Sequence, residues 1–342
     1  MTVPGIDRPR LAAWMGRDVP DVGEPLTVSL ISGGRSNLTY LIETTARRVV
    51  LRRPPLGHVL PTAHDMSREW RVISALAPTP VPVPEPVAFC ADEEVIGAPF
   101  YLMGHVEGEA VRSVAQLGAP APERSRRLGE RLAEVLAAIH AVDYREVGLA
   151  DFGRPEGYLA RQLKRWGQQW ERSKTADLPE YDRLAARLRE RLPAASASTL
   201  VHGDYRLDNT LVRLGPEIEI RAVVDWEMST LGDPLADLGL TLTYWQERGD
   251  TERAEIPVAG DVTTAPGFPD TAEFAAHYAK VSGRDISDLG FYVAFGNFKL
   301  AVIIEGIHAR FRQGKTVGEG FDTIGAAVPT LIARAHRTLD ES

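Results

Sequence analysis

Asp204 and Asn209 stand in one short segment, HGDYRLDN (residues 202–209), and Asp225 follows in VVDWEM (residues 223–228). Apolar, strand-like residues precede His202, and Thr210 to Leu214 read as a strand after Asn209, so the segment is a loop held at both ends. Asp225 closes the next strand, Ile218 to Val224, after a hairpin, and can return beside Asn209. Three oxygen-bearing side chains are thereby expected to converge. Phosphoryl transfer needs such a set: one carboxylate to take or orient the proton of an acceptor hydroxyl, and hard oxygen ligands to hold Mg2+ against phosphates. Asp204 suits the first task, and Asn209 and Asp225 the second. Magnesium takes carboxylate, carbonyl and water ligands, so it requires no His or Cys cluster. His202 reads as a residue that organises the loop. An isolated HGD in a turn is ordinary; the joint spacing is what points to catalysis.

The elements that must hold this loop change character along the chain. Leu26 to Gly33, Asn37 to Glu43 and Arg48 to Arg53 are short runs rich in Val, Ile, Leu, Thr and Tyr, separated by turn residues. A helix follows in HDMSREWRVISAL, with Met66, Trp70 and Ile73 sharing a face. PTPVPVPEPV (residues 78–87) must be extended and reads as a stiff internal connection. Val87 to Cys90 and Phe100 to His105 form a further strand pair. Beyond about Gly108 the pattern turns helical. Leu128, Leu132, Val135, Leu136 and Ile139 trace one apolar stripe, and GYLARQLKRWGQQWERS, LAARLRERL and DLGFYVAFGNFKLAVIIEGIHARF are further helices. The class expected is α+β: a β-rich N-lobe over 1–105 that binds nucleotide, and a helical C-lobe over 106–342 with the catalytic loop and acceptor site.

The bulk numbers exclude several alternatives. The 342 residues suffice for two cored lobes, and the formal net charge of −8 argues against a nucleic-acid partner. Cys90 is the single cysteine, so neither an intramolecular disulfide nor a multi-cysteine metal site can form. The apolar runs fall short of the ~18 residues of a membrane helix, and MTVPGIDRPRLAAW has no secretory pattern. No membrane association and a cytoplasmic location are expected.

His202-Gly203-Asp204 with Asn209, then Asp225 and GDPLAD (residues 232–237), resembles the aminoglycoside phosphotransferase and choline kinase family over nearly the whole chain. The resemblance implies a protein-kinase-like bilobal fold with a small antiparallel N-lobe and a larger helical C-lobe. It implies ATP and Mg2+ as cofactors, Asp204 as catalytic base and Asn209 and Asp225 as metal ligands. Asp237 takes the place of the buried acid that braces the catalytic loop. In the same frame SGGRSNLTYLI (residues 32–42) covers the phosphates through Gly33, Gly34, Arg35 and Ser36. VVLRRPP (residues 49–55) supplies the phosphate-anchoring strand, with Arg52 where Lys is usual and Glu69 as its ion-pair partner. YLMGHVEGEA (residues 101–110) becomes the joint, whose backbone at Met103, His105 and Val106 meets the adenine.

The acceptor is a small molecule with a hydroxyl. Aminoglycosides are polycations and call for an acid-lined pocket, yet the helix before the catalytic loop carries Arg161, Lys164 and Arg165 on one face, next to Trp166. Arg161 and Arg165 are therefore candidates for an anionic acceptor, with Asp208 a further acceptor-side candidate in the loop. LRRPP, RQLKRW and HGDYRLDN look closest to the branch fused to acyl-CoA dehydrogenase domains, which implies a hydroxyacyl-CoA or hydroxy acid. An amino-alcohol or antibiotic acceptor is the alternative, and a nucleotide-binding pseudokinase, suggested only by Arg52, is another. The stretch from Asp225 to Asp237 is too short for the long activation loop of a protein kinase.

Overall fold

The computed structural model describes residues 3–31, 37–56, 65–119, 121–193, 197–215, 217–256, 260–314, 321 and 323–342. The chain divides into two compact units, residues 1–108 with 221–229, and residues 109–220 with 230–342.

The first unit opens with α1 (Arg8–Asp18), whose N-terminus is capped by Asp7 accepting from the Arg10 N–H. It continues through β1 (Pro25–Leu30), β2 (Leu38–Thr44), β3 (Arg48–Arg53), α2 (Met66–Leu76), β4 (Pro86–Cys90) and β5 (Phe100–Gly104). The strands form an antiparallel sheet in the order β1-β2-β3-β5-β4. Alternation places Tyr40, Ile42, Val49 and Leu51 on the face that packs against Leu11, Trp14 and Met15 of α1. The helix α2 begins where Asp65 caps the Ser67 N–H. Its buried face carries Met66, Val72, Ile73 and Leu76, and one acid, Glu69. A carboxylate in the middle of an apolar stripe must have a partner waiting for it.

The second unit holds α3 (Pro122–Ala141), α4 (Tyr158–Ser173), α5 (Pro179–Glu190), β6 (Thr199–Val201) and β7 (Thr210–Leu214). The chain leaves it along β8 (Ile218–Val223) and returns through β9 (Thr230–Gly232). It then runs through α6 (Pro234–Tyr244), α7 (Thr251–Ala254), α8 (Thr271–Ser282), α9 (Leu289–Arg312) and α10 (Ala327–Glu341). β6 pairs with β9, and β7 with β8. Leu128, Leu132, Leu136 and Ile139 of the expected α3 stripe are buried, with Val135 at its half-buried edge.

The α6–α9 crossing is built from small residues. A Cβ at Gly239 would fall 2.4 Å from the carbonyl of Tyr292, and one at Gly296 would fall 2.4 Å from the Thr243 hydroxyl. Gly239→Ala is therefore expected to destabilise the protein by about 1–3 kcal/mol, since the backbones cannot part without opening the core. Gly16→Ala, where a Cβ meets nothing within 4 Å, is expected to raise stability slightly by its helix propensity. Chemical denaturation of the two variants measures the difference.

Sequence reading finds no apolar run of membrane-span length, because Asn297, Lys299 and Glu305 interrupt this stretch. The structure shows that α9 is nevertheless long and apolar enough, by length and composition, to cross a membrane. Most of it is buried inside the protein as a core helix.

Candidate active site

The catalytic-loop candidates lie in the second unit, where β6 and β7 hold the two ends of the HGDYRLDN segment. At Gly203 the chain turns through a φ of +84°, which only glycine adopts without strain. The backbone is then clamped from two sides. Asp237, buried on α6, accepts from the His202 N–H at 2.7 Å with Oδ2 and from the Gly203 N–H at 2.9 Å with Oδ1. From α9, Lys299 Nζ donates to the Gly203 carbonyl at 2.7 Å. Asn209 Nδ2 donates to the Asp204 carbonyl at 2.8 Å and to Asp204 Oδ2 at 2.9 Å. With its nitrogen committed to Asp204, Asn209 keeps its amide oxygen for an electropositive partner. Arg206 lies over the Tyr244 ring, with Nε 3.6 Å from Asp204 and Nη1 3.8 Å from Asp208.

Behind the loop is a buried polar chain. His140 Nε2 lies 3.3 Å from Asp237 Oδ2, and its Nδ1 lies 2.7 Å from the Tyr278 hydroxyl. Burial holds the His140 imidazole below its ordinary pKa despite the bond to Asp237. The Asp237 carboxyl is raised by burial, but His140 and the His202 contacts outweigh that and leave it lowered. A neutral His140 donates Nε2–H to Asp237 and accepts from Tyr278. The unfolded chain binds the proton more readily at both groups, so their stability contribution is present above the unfolded values and is lost on acidification. We expect the melting temperature to fall as the pH drops below about 6.5, the ordinary His value, and further through the carboxylate range. In His140→Gln the first of these steps is expected to flatten in a pH series of thermal melts.

The nucleotide-side candidates and Asp225 lie in the first unit. Arg52 on β3 donates Nε to Glu69 Oε2 at 2.8 Å and Nη2 to Glu69 Oε1 at 3.1 Å, so the ion pair that the resemblance implies is bidentate. Tyr101 donates its hydroxyl to the same carboxylate at 2.9 Å. Arg52 Nη2 also pairs with Asp225. Burial alone would lower the Arg52 pKa, yet Glu69 and Asp225 together hold it raised. Burial raises the Glu69 carboxyl, with Arg52 opposing it. Three donors aimed at Glu69 suit its ionised form. The neighbouring Arg53 is structural, donating to the carbonyls of Gly5, Pro54 and Ile96.

Asp225 has a φ of 67°, a left-handed value that no other non-glycine among the described residues adopts. Such strain persists where the surroundings enforce it, and it clusters at functional sites. Trp226 anchors the turn, its indole donating to the Val223 carbonyl at 3.0 Å while its own carbonyl accepts from the Ser229 hydroxyl at 2.6 Å. Glu227 accepts from Asn37 Nδ2 at 3.0 Å. Glu69, Asp225 and Glu227 each offer an oxygen within 4.8 Å of the others. Both Glu69 oxygens already accept from Arg52, which leaves Asp225 and Glu227 as oxygen donors of the kind a hard divalent cation takes.

Gly33, Gly34, Arg35 and Ser36 lie outside the described residues. Met103 pairs with Val50 and Pro86 on β5, and the His105 N–H donates to the Arg48 carbonyl at 3.2 Å, so that donor is used within the sheet edge. Val106 lies two residues beyond the end of β5 and is half-buried. Arg161 and Arg165 lie one turn apart on α4, and Arg161 donates to the carbonyls of Arg154 and Glu156. Asp208 is not with them; it lines a 30 Å3 cavity with Tyr205, Tyr244 and Thr263. Sequence reasoning missed Lys299, Glu227 and Tyr101. Glu227 had a signal, its place two residues after Asp225, whereas Lys299 had none.

The model of the Phosphotransferase enzyme family matches residues 27–275. The chain is 33% identical over 341 residues to acyl-CoA dehydrogenase family member 11 of Rattus norvegicus, covering 96% of this chain and 43% of that protein. It thus spans less than half the length of that curated relative. A solved structure from Ralstonia eutropha, provisionally described as an aminoglycoside phosphotransferase, is 34% identical, covers 98% of each chain and has a TM-score of 0.84. Spectinomycin phosphotransferase in complex with ADP and spectinomycin has a TM-score of 0.62 over 98% of this chain and 99% of that one. At 12% identity that likeness is one of fold alone.

Proposed function

Because the chain belongs to the phosphotransferase enzyme family, with its protein-kinase-like fold and its phosphorylation of hydroxyl groups, we propose that it moves the γ-phosphoryl group of ATP, with Mg2+, onto the hydroxyl of an anionic small molecule. The acceptor class we favour is a hydroxy acid or a hydroxyacyl-CoA. The observation that carries the reading is the Asp204–Asn209 pair on a loop whose backbone is fixed by Asp237 and Lys299.

Asp204 takes the proton of the acceptor hydroxyl as that oxygen bonds to the γ-phosphorus. The bond from phosphorus to the bridging oxygen breaks, and ADP leaves with the bridging electrons. Asn209 keeps the Asp204 carboxylate turned to one orientation throughout, and Arg206 stands beside its Oδ2. Asn209 Oδ1 and Asp225 would hold magnesium, with Glu227 a further oxygen; the ion would neutralise charge on the phosphates. Arg52, with Glu69 fixing its plane, would reach phosphate oxygens. Met103, His105 and Val106 would border the adenine. ADP in the spectinomycin phosphotransferase complex supports the use of a nucleotide here. The relationship to acyl-CoA dehydrogenase family member 11, together with the cations of α4, supports an anionic acceptor over a polycationic one.

One observation favours a second reading. The guanidinium of Arg52 pairs with Asp225, a ligand the metal would need, as it would in a nucleotide binder without turnover. ADP release from Mg·ATP, measured across hydroxyacyl-CoAs, free hydroxy acids, amino alcohols and aminoglycosides, separates the two. Turnover with an acidic acceptor supports the kinase reading. Calorimetric nucleotide binding with no turnover on any class would sink it in favour of the silent binder.

A further inference from the structure

The helix α4 bears a concentration of positive charge that the phosphoryl-transfer chemistry leaves unused. A cavity of about 450 Å3 is lined by Arg154, Arg161, Lys164 and Arg165, with Gln162 and Gln168 between them. No carboxylate lines it among the described residues, although the chain as a whole carries a net charge of −8. Arg161 and Arg165 stand four residues apart on one helix face, where like charges repel and weaken the helix. A cavity with walls of one sign focuses its field and draws ions of the other sign.

Two independent features tie this cavity to the catalytic loop. Its floor includes Thr230 and Leu231 of β9. Thr230 pairs with Val201, the residue immediately before His202. The second link is the Trp166 ring, which has Arg165 at 5.5 Å and Lys299 at 5.6 Å from its centroid. Lys299 is the residue whose Nζ holds the Gly203 carbonyl next to Asp204. The positive charge of α4 therefore continues through Trp166 to the backbone of the proposed base.

We infer that the cavity walled by Arg154, Arg161, Lys164 and Arg165 binds a phosphate-bearing polyanion, the charged end of the acceptor whose hydroxyl is presented to Asp204. Four cations exceed what a single carboxylate needs and match a diphosphate or a pair of phosphomonoesters. The cavity holds such a group without the remainder of the acceptor, which extends toward the loop past Thr230 and Leu231 of β9. Burial, with Arg165 nearby, holds the Lys299 pKa below its ordinary value, with Asp204 and Asp237 opposing. The inference rests on the acceptor-kinase reading above. It adds which part of the molecule recognises the acceptor and by what charge.

The test uses the full chain with its nucleotide site first saturated by Mg·ADP, so that phosphate probes report on a second site. Calorimetry is run with inorganic pyrophosphate and with coenzyme A, for the native protein and for Lys164→Gln/Arg165→Gln. Binding of either probe, weakened at least tenfold in the double variant and by raised salt, is the result expected. Tighter binding of coenzyme A assigns the phosphates to the acceptor; equal or tighter binding of pyrophosphate would overturn that assignment and leave a site for free phosphate. Should the double variant melt early, the exposed single change Lys164→Glu serves instead. No binding of either probe, or binding that neither variant weakens, overturns the site. Turnover of a hydroxyacyl-CoA with a KM unmoved by these changes would sink the site while sparing the kinase. Probe binding that is lost in the variants, with no acceptor turned over, would sink the kinase reading while sparing the site.

Discussion

Asp204→Asn is expected to lower kcat for ADP formation by about 10^2–10^4-fold, the usual contribution of a positioned general base. The change removes the proton acceptor and little else. The amide keeps an oxygen that can still accept from Asn209, and Asp237 still fixes the loop through the His202 and Gly203 N–H groups. No phosphate contact is assigned to Asp204, so the affinity for Mg·ATP is expected to stay within a few-fold of the native value. Steady-state kinetics with calorimetry of nucleotide binding checks both halves. A variant that retained full turnover would remove Asp204 from the role of base.

The largest expected effect on stability falls at Asp237. Its carboxylate is buried and accepts from two backbone N–H groups and from His140. Asp237→Asn leaves one amide oxygen for donors that previously shared two, and turns an amide N–H2 toward groups that are donors themselves. Breaking one partner of such a buried charged network costs on the order of 3–5 kcal/mol. Activity is expected to fall as well, because the amide cannot hold both N–H groups that set the Gly203 turn. A urea denaturation curve alongside kcat measures the two losses. A native-like midpoint would show that the loop is fixed by something other than this carboxylate.

The loop that carries Asp204 and Asn209 was legible because its parts are local. His202, Asp204 and Asn209 share a few residues of chain between two apolar strands, and the spacing alone brings Asn209 to the Asp204 carboxylate. The Arg52–Glu69 pair was legible only through the family resemblance, which places a cation on that strand and an acid on the following helix; the burial of Glu69 in the α2 apolar face gives the physical reason. The strands of the first unit and the α3 stripe followed from period-two and helical patterning. Lys299 could not be read in this way. It lies far along the chain in an otherwise apolar helix, and only the packing of α9 brings its ammonium to the Gly203 carbonyl. The Arg52–Asp225 pair is likewise a consequence of where β3 and the turn at Asp225 meet. Isolated polar residues also break α9 into short apolar runs, so its length and apolar character show only once the helix is seen whole.

The glycine-lined crossing of α6 and α9 has a consequence for how such an enzyme can diversify. One helix grips the loop by its amide hydrogens and the other by a carbonyl oxygen, so the pair acts as a vice whose jaws are set by the contact at Gly239 and Gly296. Any spreading of the jaws pulls apart the two peptide groups on either side of the Gly203 Cα, the second of which leads into Asp204. The vice leaves the reaction geometry almost no freedom to drift. New acceptors would have to be acquired at surfaces that the two helices do not touch, and the chemistry would be inherited unchanged.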